Sequence, residues 1–398
     1  MKIPYGKQFI DKDDIKAVSK ALQKDFITQG PIIEQFERKV CRIVGSKYAV
    51  ALSSCSAGLH LALASIKKTK KKEVITSPIS FVSTANAIIH NKYNPVFLDI
   101  DKYSLNLCIN KFENYISRNK NISAVIPVHL GGYAFNSKIL FNLAKRKKIY
   151  VIEDAAHSFG AKYEDGSMVG SCKYSDITVF SFHPVKTLTT GEGGVVTTNS
   201  RKIYERLLRL RSHGIEKKAN QWKNKKFGFT NGKRNMWYYE MQELGFNYRI
   251  TDIQCALGLS QLNKLKKVVN QRARIAKIYD KDFKSLKNLY LPQNNHRDMS
   301  SNHLYVLNLN FKKIGLTKHK FMKSLYEKGI ITQVHYIPIH LHPFFKKQKV
   351  KKVNLKNALN YYNQAVSIPI FYNLTKSNQK KVINSIKKII TKKNSPVI

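Results

Sequence analysis

A chain of 398 residues, 43% of them hydrophobic, exceeds what one small core organises and predicts two domains, or one large domain with a lobe. Its five scattered cysteines (Cys41, Cys55, Cys108, Cys172, Cys255) contain no C-x-x-C pair, which excludes a zinc ribbon and a disulfide framework. The formal net charge of +45 raises nucleic acid or an anionic membrane as partners, but the lysines are spread along the chain and their runs (67–72, 380–393) lack interleaved aromatics.

Abundant Lys, Asn, Ile, Tyr and Phe are what an AT-rich genome produces through its codons, so neither nucleic acid nor a membrane is the expected partner. No charged-then-apolar leader opens the sequence. The most apolar window, 48–66, is broken by Ser53, Ser54, Ser56, Gly58 and His60 and reads as strand, turn and helix. A cytoplasmic protein is expected.

Helical spacing over 13–24 precedes the turn Thr28-Gln-Gly-Pro31 and a second helix over 33–44. Next come a strand at Tyr48–Leu52, a helix from about Ala57, a strand at Glu73–Thr76 and a helix over 82–90. Strands over 95–98, 124–127, 149–153, 177–182 and at Gly194–Thr198 follow, mostly separated by helical stretches. This alternation predicts an α/β fold whose seven-stranded, mainly parallel sheet is covered on both faces, with a ligand at the carboxyl ends of its strands. A helix over 202–211 leads to a polar, aromatic-rich insertion at 216–243, read as a flap or interface loop. One long helix over 251–269 is expected to bridge into a smaller α+β lobe. That lobe should hold strands near 301–309 and 331–334 and a helix near 377–390. The expected division is a large domain over 1–264 and a small C-terminal domain over 265–398.

Two short stretches carry the chemistry. Asp154 ends the apolar run Tyr150-Val-Ile-Glu, and Lys186 lies between Ser181 and the cluster Gly191-Glu-Gly-Gly194. An aspartate and a lysine beyond two strands can grip opposite ends of one flat, charged cofactor. Pyridoxal phosphate needs that arrangement: a lysine amine for its aldehyde and a carboxylate that keeps its ring nitrogen protonated. Asp154 alone reads more readily as a helix N-cap than as a cofactor partner, and a lone lysine in so basic a chain carries no information. Ser53-Ser-Cys-Ser56 joins a strand to a helix, where unpaired amides and small hydroxyls cradle phosphate or merely cap the helix. Phe81, on the loop Ser77-Pro-Ile-Ser-Phe81, can stack on a pyridine ring or belong to the core. His335, His340 and His342 do not have the spacing of helix-borne metal ligands, and no metal is expected.

These motifs, with Glu153-Asp-Ala-Ala-His157, Arg211-Ser-His-Gly214, Gly245-Phe-Asn247-Tyr-Arg249 and Asp252-Ile-Gln-Cys-Ala-Leu-Gly258, resemble the DegT/DnrJ/EryC1/StrS family of pyridoxal-phosphate-dependent sugar aminotransferases along nearly the whole chain. The resemblance implies the aspartate aminotransferase-like fold type I. It implies Lys186 as the Schiff-base lysine, Asp154 as partner of the ring nitrogen, His157 near the ring hydroxyl and Phe81 stacked on the ring. Ser181, Cys55 and Ser56 would hold the phosphate, and Asn247 would reach the phosphate bound by a second subunit, making a homodimer with shared sites. Tyr5, the turn Asp25, Phe26, Ile27 and Thr28, and Gln333, Val334, His335 and Tyr336 would line a nucleotide-sugar site bordered by Cys55, Ser181 and Asn247. Ser80-Phe-Val, Ser300-Ser-Asn-His-Leu-Tyr305 and Gly329-Ile-Ile-Thr-Gln-Val-His-Tyr336 are similar to the subfamily of pseudaminic acid biosynthesis. That subfamily uses L-glutamate to aminate UDP-2-acetamido-2,6-dideoxy-β-L-arabino-hex-4-ulose. A different UDP- or dTDP-linked 4-keto sugar stays open, because Cys55, Gly58 and the insertion depart from the usual pattern. The family's dehydratases typically carry histidine where this chain has Lys186, which argues against that activity. A basic nucleic-acid-binding protein keeping the fold has no need of both Asp154 and Lys186.

Overall fold

The computed structural model of the chain describes residues 2–67, 69–348, 351 and 353–391; Lys68, Lys392 and Lys393 of the two basic runs lie outside them. Its centre is a seven-stranded sheet of β1 (Tyr48–Leu52), β2 (Glu73–Thr76), β3 (Asn94–Phe97), β4 (Ile122–Ile126), β5 (Tyr150–Asp154), β6 (Ile177–Ser181) and β7 (Gly194–Thr198). The spatial order is β1-β7-β6-β5-β4-β2-β3. β7 runs against both neighbours and every other pairing is parallel, so the predicted mainly parallel α/β fold is what forms. β4, β6 and β7 are buried at every residue, as strands covered on both faces must be. Alternation along β1 sends Val50 and Leu52 into one apolar layer and Ala49 and Ala51 into the other.

Helix α1 (Lys12–Leu22) starts with an Asp11/Asp14 capping box, and α2 (Pro31–Val44) ends at left-handed Gly45. α2 packs Phe36, Val40 and Val44 on the sheet. On the opposite face lie α3 (Cys55–Ser65) and, further along the chain, α7 (Arg201–Arg211). Between them in sequence come α4 (Ser83–His90), α5 (Ile109–Arg118) and α6 (Ser137–Arg146). α3 is apolar nearly all round, which suits a helix pressed flat against the sheet. Two glycines permit that closeness. A Cβ on Gly58 would lie 2.7 Å from Val179 Cγ1, and one on Gly194 would lie 2.5 Å from the Ser54 carbonyl group. Gly194→Ala should therefore push the start of α3 away from β7. A stability loss of about 1–3 kcal/mol in denaturant titration is expected.

The predicted helix over 251–269 is two helices, α8 (Asp252–Leu262) and α9 (Leu265–Phe283). The break at Asn263–Lys264 coincides with the Lys264 ammonium, which turns to pair with Asp11 and with Asp14 at 2.8 Å. α9 then takes part in two cores: Leu265 and Val268 pack under the large sheet, while Ile275, Tyr279 and Phe283 pack in a second cluster. That second cluster surrounds a three-stranded antiparallel sheet of Leu289–Tyr290, Tyr305–Leu309 and Ala365–Ile368, with helices Lys318–Glu327 and Lys376–Thr391 over it. No strand forms over 331–334. Ile330 and Gln333 each make one isolated bridge, to Ile3 and to Ser367, and the chain then leaves toward Tyr336. The last strand, Ala365–Ile368, was not predicted.

The insertion is organised rather than a bare flap. Ile215–Glu216 pairs with Glu240–Met241 and Phe229–Thr230 with Lys233–Arg234, around a buried Trp222 in edge contact with Phe229 and Tyr238. Among the described residues, no helix is long and apolar enough to cross a membrane.

Candidate active site

Strand geometry collects the chemistry. β5 and β6 are parallel neighbours, so Asp154 and Ser181 both emerge at the same carboxyl edge of the sheet. The loop after β6 carries Lys186 and returns through Gly194, which is in register with Ser181. The start of α3 reaches this edge because β1 ends there too, and Gly194 lets Ser54 and Cys55 approach.

Asp154 is buried, with both oxygens in use. Oδ2 accepts the Thr84 hydroxyl at 2.6 Å and Oδ1 accepts the Ala156 N–H at 3.2 Å. Burial raises its pKa, and the two hydrogen bonds, Lys186 and His129 oppose that rise. Thr84 also meets Ser80 Oγ at 2.7 Å, so a hydroxyl pair orients the carboxylate. Thr84 was not singled out in the sequence, although it lies in the stretch after Phe81. His129 was missed as well: its Nε2 lies 3.1 Å from Oε1 of buried Glu153, whose other oxygen accepts Tyr163 and Thr178 hydroxyls at 2.7 Å each. This polar cluster sits behind Asp154, with His129 N–H bonded to the Asp154 carbonyl.

The half-buried Lys186 amine makes no hydrogen bond among the described residues. Burial pulls its pKa down to about 8, against the raising effects of Cys55 and Asp154. Below that pH the amine is charged and unreactive; above it the amine is neutral. Acylation of Lys186 in the apoprotein, read by peptide mass spectrometry, should therefore switch on through pH about 8. Reaction that starts only near the ordinary lysine value would contradict the burial argument.

Ser54 caps α3 by accepting the Ala57 N–H at 3.1 Å, leaving the Cys55 and Ser56 amides at the helix start. Burial pushes the Cys55 thiol well up and keeps it protonated, with Asp154 acting in the same direction. Ser181 Oγ accepts the His183 N–H at 3.4 Å. Phe81 is exposed, 6.1 Å from the Tyr336 ring. His157 Nε2 is 3.1 Å from the Tyr336 hydroxyl. His335 meets Ser367 Oγ at 2.9 Å and the Tyr5 ring at 5.3 Å.

Asp154, His157, Ser181, Lys186, Cys55, Phe81, Tyr336, His335 and Tyr5 thus form one continuous group. Ser56 is exposed on the first turn of α3. Gln333 and Val334 lead into His335, with Gln333 bonded through its backbone to Ser367. Asn247 is exposed beside Ser212, one residue before Tyr248, whose carbonyl accepts the Ser53 N–H. Asp25, Phe26, Ile27 and Thr28 are exposed and stand apart from this group; their backbone contacts are with Thr251 and Asp252. Among the described residues, no three His, Cys, Asp or Glu side chains are grouped as metal ligands.

The residue set fits pyridoxal phosphate. A partnerless amine for the aldehyde, a buried oriented carboxylate for the ring nitrogen and free amides at a helix start for the phosphate occupy one edge of the sheet. Residues 8–387 match the model of the DegT/DnrJ/EryC1/StrS aminotransferase family. An uncharacterized protein of Methanocaldococcus jannaschii is 39% identical over 98% of both chains. The UDP-4-amino-4,6-dideoxy-N-acetyl-beta-L-altrosamine transaminase of Campylobacter jejuni is 37% identical over 98% of both. Among solved structures, Helicobacter pylori PseC, an aminotransferase involved in the biosynthesis of pseudoaminic acid, has a TM-score of 0.89 at 30% identity, covering 98% of this chain and 99% of its own. The chain belongs to the DegT/DnrJ/EryC1/StrS aminotransferase family and is an aminotransferase that works with pyridoxal 5′-phosphate.

Proposed function

We propose that this aminotransferase moves the amino group of L-glutamate to C4 of a UDP-linked 4-keto amino sugar, UDP-2-acetamido-2,6-dideoxy-β-L-arabino-hex-4-ulose. Its product would enter pseudaminic acid, a surface-glycan nonulosonate. The observation that carries the chemistry is the lone, half-buried Lys186 amine beside oriented Asp154. The names of the Campylobacter jejuni and Helicobacter pylori relatives support the sugar. Residues 1–264 act as the cofactor-binding domain and 265–398 as the small domain of a cytoplasmic homodimer, with Asn247 reaching the phosphate held by the second subunit.

When bound, the cofactor supplies an aldehyde for covalent linkage and a ring that takes up electrons. Asp154 holds the proton on the ring nitrogen. The start of α3 and Ser181 hold the phosphate. Lys186 Nζ, once free and neutral, takes the α-proton from glutamate, and in the second half it delivers a proton in the reverse sense. Tyr5 and Gln333–Tyr336 bind the nucleotide sugar, and Asp25–Thr28, which stand apart from them within one chain, reach it from the second subunit of the homodimer.

The test is an absorbance spectrum of the purified holoenzyme. L-glutamate should bleach the lysine-linked cofactor band, and the UDP-linked 4-keto sugar should restore it. Bleaching without recovery, with recovery on another nucleotide sugar, would replace the acceptor and keep the reaction class.

A further inference from the structure

Arg272 of α9 is 2% exposed and forms no ion pair among the described residues. Its Nη1 donates to the carbonyls of Asn302, His303 and Ile370 at 3.4, 3.3 and 3.1 Å. Nε is buried without a partner, and Nη2 makes no hydrogen bond among the described residues. Carbonyl dipoles soften a buried charge but do not neutralise it. Burial pulls the guanidinium pKa down to about 10, with no carboxylate opposing the fall, and the group stays charged at neutral pH.

Arg272 lines a cavity beside the loop that carries Lys186. The walls are the N-terminal segment with Lys7 and Phe9, the loop with Lys186 and Thr187, and α9 with Tyr372. No Asp or Glu is among the lining residues, so three basic side chains border one space without a carboxylate. Gln261, also in the wall, contacts Asp14 at 2.8 Å, but Asp14 and Asp11 are already paired with Lys264. Thr187 is buried, and its hydroxyl makes no hydrogen bond among the described residues. Exposed Lys7 adds positive charge to the same wall. The space open to the centre of a water-sized group is about 10 Å³, room for one such group and too little for a carboxylate or a phosphate. A water there would leave the Arg272 charge uncompensated; a small anion would neutralise it.

We propose that this cavity binds one monatomic anion, a halide such as chloride, held by the Arg272 guanidinium and the Thr187 hydroxyl. The ion ties the Lys186 loop to α9, the helix that takes part in both cores. It needs neither the cofactor nor the sugar in order to bind.

Two measurements on the full-length protein test the site. Bromide scatters X-rays anomalously and water does not. Crystals grown in sodium bromide should show an anomalous peak within hydrogen-bond distance of Arg272 and Thr187, and a cavity without that signal overturns the proposal. In solution at fixed ionic strength, replacing gluconate by chloride should raise the wild-type unfolding midpoint in a saturable way. Thr187→Val should weaken the apparent chloride affinity about tenfold, the effect of losing one hydrogen bond to a charged group. Arg272→Met should abolish the chloride-dependent rise; if that variant does not fold, Thr187→Val carries the comparison alone. A rise of equal size and midpoint in wild type and Thr187→Val is a general salt effect and overturns the site. A bromide peak with no saturable rise in wild type shows binding at crystal concentration only, and overturns it too.

Discussion

Lys186→Ala is expected to lose at least ~10⁴-fold in kcat, the upper end of what one positioned proton-transfer group contributes, because in the proposed reaction the same amine is also the covalent anchor. The loss should fall on both half-reactions, measured separately with glutamate and with the 4-keto sugar. The protein should still fold. Removing a half-buried amine whose pKa burial has drawn down to about 8 relieves a desolvation cost and breaks no hydrogen bond among the described residues. Linkage gives the sign: the folded state holds this proton less tightly than the unfolded chain does. Wild-type stability should therefore gain from this group as pH rises from about 8 toward the ordinary lysine value, and Lys186→Ala should lack that gain. Turnover within tenfold of wild type would remove Lys186 from the chemistry.

Asp154→Asn is the second large effect. Removing one partner of a buried charge pair costs about 3–5 kcal/mol, so ~10²–10⁴-fold in the rate of proton removal is expected once, in the proposed site, the ring nitrogen loses its carboxylate. Asparagine keeps the volume and one oxygen for the Thr84 hydroxyl. Apoprotein stability should move the other way. Burial raises the Asp154 pKa, so its ionised form at neutral pH costs folding free energy that asparagine removes. Lower activity with an equal or higher unfolding midpoint would separate the electronic role from a structural one. A rate loss with parallel destabilisation would assign Asp154 to capping instead.

The strands of the large sheet were legible because each is a short apolar run, buried on both faces and bounded by turns. The proximity of Asp154 and Lys186 was legible because one ends such a run and the other lies in the loop that follows the neighbouring run. Other features depend on partners remote in sequence. The apolar period runs unbroken through Asn263–Lys264, and the helix break coincides with Asp11 and Asp14 near the opposite end of the chain. Thr84 declares its role only against Asp154, and Arg272 only against carbonyls at 302, 303 and 370. The strand expected at 331–334 satisfied its pattern but found single bridges to Ile3 and Ser367 where a ladder needs continuous neighbours. His157 shows its contacts only against Gly131 N–H and the Tyr336 hydroxyl, both remote from it in sequence.

The loop bearing Lys186 is the turn of a hairpin. β6 leaves the sheet at Ser181 and β7 re-enters directly opposite at Gly194, so both stems are hydrogen-bonded into buried strands. A lysine on such a short double tether does not diffuse away when its covalent link is exchanged for that of a substrate. Its amine remains at an effective concentration far above any attainable in solution, with the orientational entropy already spent when the sheet folded. For the role proposed for Lys186, the antiparallel reversal of β7 in an otherwise parallel sheet thus makes the proton transfer intramolecular.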